Sequence, residues 1–191
     1  DIAKKFGHTI TKLEPALVGF TVQKEQFWFK NLSGISMPVN TFVDERSFEG
    51  SLLFAHKGCS GPVILTTSLY WKKGKIAIDF LPKQKIETFF QGNKIISSAL
   101  PLPKRFIQEF LTSVELEDKN ISKLTDEEKL KLKLLKYYEF PPAGNFGYTK
   151  AEVTKGGINT DEINHNNFES LKQKNLHFIG ECLDITGELG G

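Results

Sequence analysis

Residues 75–90 read KIAIDFLPKQKIETFF, and the apolar period changes inside this stretch. In KIAIDF, Ile76, Ile78 and Phe80 alternate with Lys75, Ala77 and Asp79, the period-two pattern of a strand. Beyond Pro82, Ile86, Phe89 and Phe90 recur at the three-to-four spacing of a helical stripe. The chain therefore passes from β to α structure near residue 81, and strands followed by helices define an α+β class.

Working outward, residues from about Thr9 to Phe80 read as short strands. HTITKLEPALVGFTV (8–22) and GISMPVNTFV (34–43) alternate or are rich in Val, Ile, Thr and Phe. Turn signals at Ser33-Gly34, Glu49-Gly50 and Lys73-Gly74 separate them at the spacing of a small barrel or sandwich. VILTTSLY (63–70) reads equally as a helix or a buried strand.

On the other side, Pro82 to Glu139 is helical. PKRFIQEFL (103–111) puts Phe106, Ile107, Phe110 and Leu111 on one face, with Pro103 in the first turn. LTDEEKLKLKLLKYY (124–138) opens with Thr125 three residues before Glu128, a capping box with its acids at the positive helix end. Its expected buried face is Leu130, Leu134, Tyr137 and Tyr138, with the lysines solvated. From Phe140, PPAGNFGYTKAEVTKGGI (141–158) reads as loop, strand and Gly-Gly turn. LHFIGECLDITGELGG (176–191) reads as a buried strand entering a glycine-rich loop.

The 191 residues are 39% hydrophobic and 12% aromatic, enough for a core. Lys+Arg 25 against Asp+Glu 23 leaves +2, and only Arg46 and Arg105 are arginines. Dedicated nucleic-acid binding is therefore not expected, because arginine forks are the usual readers of phosphate and guanine. Cys59 and Cys182 read as free thiols in a reducing compartment, which places the protein in the cytoplasm. No apolar run is long enough to span a bilayer, and no signal-like start is present. The opening at Asp1 and the stop at ELGG give the chain the look of an excised piece.

Two stretches carry candidate chemistry. In LLFAHKGCSGP (52–62), His56, Cys59 and Ser60 lie within five residues. A nucleophile elbow needs glycine where Pro62 stands, and His56 has no carboxylate nearby in sequence to orient it, so the segment reads as a turn. In HFIGECLDITGELGG, a strand ending in Gly180-Glu181 would let the backbone approach a ligand while the carboxylate accepts from ligand hydroxyls. An ordinary βα connection can also end in glycine and an acid. His8, His56, His165 and His177 are scattered, and no metal site is expected. His8 and His177 read as structural histidines, and Asp161 and Glu162 as turn-flanking acids.

GHTITKLEPALVGF, LSGIS, GSLLFAHKGCSGPVIL, AEVTKGGI and LHFIGECLDITGELGG occur in the order seen in the YhiN/BaiN-type flavoproteins, which are NAD(P)/FAD-dependent oxidoreductases, and the chain resembles that family over most of its length. The resemblance implies a β-barrel-like insert with a small helical subdomain at about 14–148. The barrel part would be about 14–80 and the helical part about 82–139. Flanking remnants of a two-dinucleotide-binding-domain FAD fold would be 1–13 and 149–191. It implies FAD as cofactor, with a nicotinamide cofactor as electron partner and a small-molecule substrate, and the rest of the flavin domain as partner. Gly180 and Glu181 would face the ribityl and pyrophosphate region, and His8 would approach the flavin domain's core. Asp184, Gly187, Gly190 and Gly191, with Thr154, Gly156 and Gly157, would pass close to the flavin ring. No catalytic acid or base is identified. The family's Gly-x-Gly-x-x-Gly turn and ribose-binding acid are absent from this sequence, so the chain by itself is expected to be inactive. The rival expectation is a binding module for protein or RNA, which a basic stripe with exposed aromatics on the insert would favour.

Overall fold

A computed structural model of the protein describes residues 2–189. In chain order the elements are α1 (Ile2–Lys5), β1 (Glu14–Ala16), β2 (Phe20–Val22), α2 (Trp28–Asn31), β3 (Ser36–Val43), β4 (Arg46–Ala55) and β5 (Gly58–Ser60). There follow α3 (Pro62–Tyr70), β6 (Ile76–Asp79), α4 (Ile96–Ala99), α5 (Lys104–Ser113), α6 (Asp126–Lys133), β7 (Tyr138–Phe140), β8 (Pro142–Asn145) and β9 (Val153–Lys155). They fall into two units, one formed by the chain up to Val18 and from Phe146, the other by Gly19–Asn145. No helix among the described residues is long and apolar enough to cross a membrane.

The Gly19–Asn145 unit is built on an antiparallel sheet in the order β7-β6-β3-β4-β5-β2-β8. Its two edges, β7 and β8, are consecutive in the chain and separated only by Pro141. One residue cannot bridge a flat sheet of this width, so the sheet curls until its edges meet, as a barrel. Prolines suit that corner because they have no N–H to leave unpaired.

VILTTSLY resolves as helix. Gly61, at φ 93, turns the chain out of β5, where a Cβ would lie 2.7 Å from Ser51 O and Leu53 N, and Pro62 takes the first helical position. Thr67 donates to Val63 O at 2.6 Å, and Thr41 of β3 meets the Thr67 hydroxyl at 2.7 Å, so both buried hydroxyls are satisfied.

The helices share one core with the barrel. Phe106, Ile107, Phe110 and Leu111 of α5 are all buried, as their spacing predicts. Phe106 packs against Trp28 and Phe80, and the Trp28 indole donates to the Tyr138 hydroxyl at 3.1 Å. The α6 capping box forms, Glu128 N donating to Thr125 Oγ1 and Thr125 N to Glu128 Oε2. The apolar face of this segment differs from expectation: Leu130, Leu134 and Tyr137 are exposed, and Leu132 and Leu135 are buried. In KLKLLK two apolar phases compete. The helix ends at Lys133 and tightens into a 3-10 turn over Leu134–Lys136, which aligns Leu132 with Leu135.

In the terminal unit β1 and β9 pair antiparallel, and Ala3, Ile158, Ile163 and Leu183 form a small core. LHFI is not a buried strand. His177 makes a single bridge to Glu169, and His177 and Ile179 are exposed. An apolar run becomes a buried strand only when neighbours pair on both sides, and the described residues supply no such neighbours here.

Candidate cofactor-binding loops

The two sequence-level candidates separate on geometry. In LLFAHKGCSGP the turn is His56-Lys57, and Cys59 and Ser60 lie on β5, not in the turn. Cys59 sits between Phe20 of β2 and Phe54 of β4 and is fully buried. Burial pushes its thiol up to about 12. The thiolate is scarce at neutral pH and His56 points to no such role from the exposed turn, so this is packing.

His8 is buried within a network. Its Nδ1 lies 3.1 Å from Glu162 Oε2 and its Nε2 2.6 Å from Ser170 Oγ. Ser170 Oγ already accepts from Lys172 N and Gln173 N, so its own proton goes to Nε2, and Nδ1–H donates to Glu162. Serine, histidine and acid are in triad order, yet the buried hydroxyl is fully engaged and cannot meet a substrate. Glu162 also accepts from Lys172 Nζ at 2.6 Å, Thr9 N at 2.8 Å and Thr9 Oγ1 at 2.9 Å. The Lys172 ammonium, followed by the Thr9 amide, holds the Glu162 carboxyl far below the usual range, at about 2. The group fastens residues 8–9 to residues 162–172. Spacing gave no sign of it, since the partners are more than 150 positions apart.

Gly157 and Ile158 bring the remaining candidates together. Thr11 N donates to Gly157 O at 2.8 Å, Ile158 N to Cys182 O at 2.8 Å, and Asp184 N to Ile158 O at 2.9 Å. Two clefts flank this junction. One of ≈ 570 Å³ is lined by Gly156, Gly157, Thr154, Glu181, Cys182 and Lys4 among others, and one of ≈ 350 Å³ by Thr154, Glu181, Thr186, Gly187 and Glu188. Thr154 and Glu181 border both. Gly180 and Asp184 line neither cleft, and Gly190 and Gly191 lie outside the described residues. Lys4, Thr186 and Glu188 join the clefts without a motif that could have marked them.

The glycines differ in kind. A Cβ at Gly156 would lie 2.2 Å from Lys12 O, and one at Gly157 2.6 Å from Cys182 O, so close backbone approach explains both. Gly180 and Gly187 have nothing within 4 Å of that position. Glu181 and Asp184 are exposed, and neither carboxylate has a hydrogen bond or ion pair among the described residues. Open backbone beside a carboxylate free to accept hydrogen bonds suits a ligand rich in hydroxyls.

The family profile described as "HI0933-like protein barrel and H2TH domain" matches residues 14–153. The chain belongs to this HI0933-like family. It is 36% identical over 204 residues to the ribosomal RNA dihydrouridine synthase of Haemophilus influenzae and 34% identical over 203 residues to that of Escherichia coli. It is 26% identical over 218 residues to the 3-dehydro-bile acid delta(4,6)-reductase of Clostridium scindens. Each match takes in 100% of this chain and 50%, 50% and 52% of the respective relative. The chain spans about half the length of the curated relatives it matches. The five-block resemblance and the α+β barrel class are thereby borne out, and one of the relatives is named as a reductase.

Proposed function

We propose that this chain is part of an FAD-dependent reductase that saturates a carbon–carbon double bond conjugated to a carbonyl, with a uracil base of ribosomal RNA as its substrate and a nicotinamide cofactor as electron donor. The observation that carries this reading is the 36% identity, over the whole chain, to a relative named for making dihydrouridine in ribosomal RNA. The chemistry is shared with the more distant relative. Uracil has a double bond conjugated to a carbonyl, and so does a delta(4,6) 3-oxo bile acid. In both, a hydride and a proton add across that bond. RNA as substrate goes against the expectation drawn from the scarcity of arginine, which weighed composition alone.

Bound FAD, once reduced by the nicotinamide cofactor, would supply the hydride. The chain's own part is binding and orientation. Glu181 would accept hydrogen bonds from ribityl or ribose hydroxyls, Gly180 and Gly187 would let the ligand approach the main chain, and Asp184 and Thr154 would flank the ring. Glu181→Ala in the full-length protein should weaken FAD binding about tenfold to a hundredfold, the loss of a charged hydrogen bond of roughly 1.5–3 kcal/mol. Fluorescence titration measures this, and equal affinity in mutant and wild type would remove Glu181 from the site. The substrate is tested by mass spectrometry of ribosomal RNA from cells with and without the gene. Unchanged dihydrouridine content would refute the RNA reading.

A further inference from the structure

If ribosomal RNA is the substrate, the protein needs a surface that holds the strand outside the reacting base, and the Gly19–Asn145 unit carries one candidate of the right chemistry. Phe27 N donates to Lys24 O at 3.1 Å and Lys30 N to Phe27 O at 3.0 Å. Successive three-residue turns of this kind stack residues i, i+3 and i+6, so Lys24, Phe27 and Lys30 form a single stripe. Phe27 is 44% exposed, unusual for a phenylalanine beside a large core, and the Lys30 ammonium lies 3.4 Å from its ring centroid. Arg105, at the start of α5, donates to the carbonyl of Asn31, the residue that follows Lys30.

No carboxylate neutralises the cations of this stripe, although Lys30 rests on the Phe27 ring and Arg105 donates to Asn31 O. Lys24, Lys30 and Arg105 form no ion pair among the described residues; the nearby acids are Glu25, which is exposed, and Glu109, which accepts from Asn31 Nδ2 at 2.8 Å. A second group of lysines, around the ≈ 430 Å³ groove at Lys83, Lys133 and Lys136, differs on this point. There Lys83 pairs with Glu49, Lys133 with Glu87, and Lys136 with Asp79. Cations without a carboxylate partner on either side of an exposed aromatic are what a single-stranded nucleic acid requires: lysine for phosphate, and the ring for a stacked base.

We infer that Lys24, Phe27, Lys30 and Arg105 form a contact surface for a single-stranded segment of RNA. Lys30 moves from the ring to a phosphate, and a base takes its place on Phe27. This rests on the RNA reading above. The test uses the full-length flavin-loaded protein and a fluorescein-labelled, uridine-rich 20-nucleotide RNA, with anisotropy followed as NaCl is varied. Each lysine–phosphate contact contributes about 0.7 to the salt slope of a single strand. Lys24→Ala with Lys30→Ala should therefore lower the slope by about 1.4 and weaken binding roughly 25-fold at 0.1 M salt. Phe27→Ala should weaken it about tenfold with the slope unchanged, a signature that general loss of charge does not give. Lys24→Arg with Lys30→Arg should keep wild-type affinity. Lys24, Phe27 and Arg105 are exposed and Lys30 is half-buried, and unchanged melting and flavin content confirm folding. Wild-type affinity in the double alanine variant or in Phe27→Ala, while the parent still binds RNA, overturns this inference and leaves the RNA reading intact. Failure of the wild-type parent to bind the RNA overturns both.

Discussion

A thiol on a central strand with its proton held up to about pH 12 should be chemically silent in the folded protein. An unperturbed thiol at 9.0 is roughly a tenth thiolate at pH 8, whereas one at about 12 is about one part in ten thousand. Ionisation alone thus slows alkylation of Cys59 by about a thousandfold, and enclosure between β2 and β4 adds an access barrier. Cys182 is exposed and, with flavin removed from the cleft it lines, serves as the internal reference. Pulsed labelling of the native full-length protein with N-ethylmaleimide, followed by unfolding, heavy-isotope labelling and peptide mass spectrometry, should give light label at Cys182 and heavy label at Cys59. Cys59→Ala should leave turnover by the proposed reductase unchanged and cost on the order of 1 kcal/mol of stability. Rapid light labelling at Cys59, or a hundredfold fall in turnover with normal melting, would refute the assignment of this thiol to packing.

Glu162 makes the terminal unit sensitive to acid: its carboxyl titrates at about 2 in the folded protein against 4.5 unfolded, so its contribution is fully present above about pH 4.5 and is lost as pH falls toward 2. Protection of the Thr9 amide, which donates to Glu162, measured against its intrinsic exchange rate should fall over that window, and Glu162→Gln should remove the dependence; a flat wild-type protection profile would contradict this. Gly156→Ala should lower the melting temperature without flavin present, because φ is +89 and the new Cβ would strike Lys12 O, while Gly187→Ala should not; the reverse pattern would show that Gly156 faces ligand rather than backbone.

The sequence exposed the fold where one element determines its own phase. On α5, four apolar residues at helical spacing admit one buried face, and that face is the one observed. On α6 the alternation of lysine and leucine admits two faces, and the choice is made by a 3-10 turn that only the core at Leu132 and Leu135 selects. LHFI looked like a buried strand because composition records apolarity and not the presence of neighbours to pair with. The same limit applies to the site. Thr154 and Glu181, 27 positions apart, meet at the clefts because Gly157 and Ile158 bond to both the Thr11 and Cys182 segments, whereas Gly180 and Asp184, chosen by their motif, line neither. The His8, Glu162 and Ser170 group was invisible because none of its spacings is local.

The junction at Pro141 also sets a clock on the ribosome. β2 ends at Val22, but its partner β8 ends at Asn145, and until β8 emerges one side of β2 presents unpaired N–H and C=O groups. At roughly 5–20 residues per second, that wait is on the order of ten seconds. During it the nascent chain is an open ribbon, able to recruit any passing strand. The barrel's last stitch is thus its latest-made, and truncation just before Pro142 should yield an aggregating species rather than a smaller stable one.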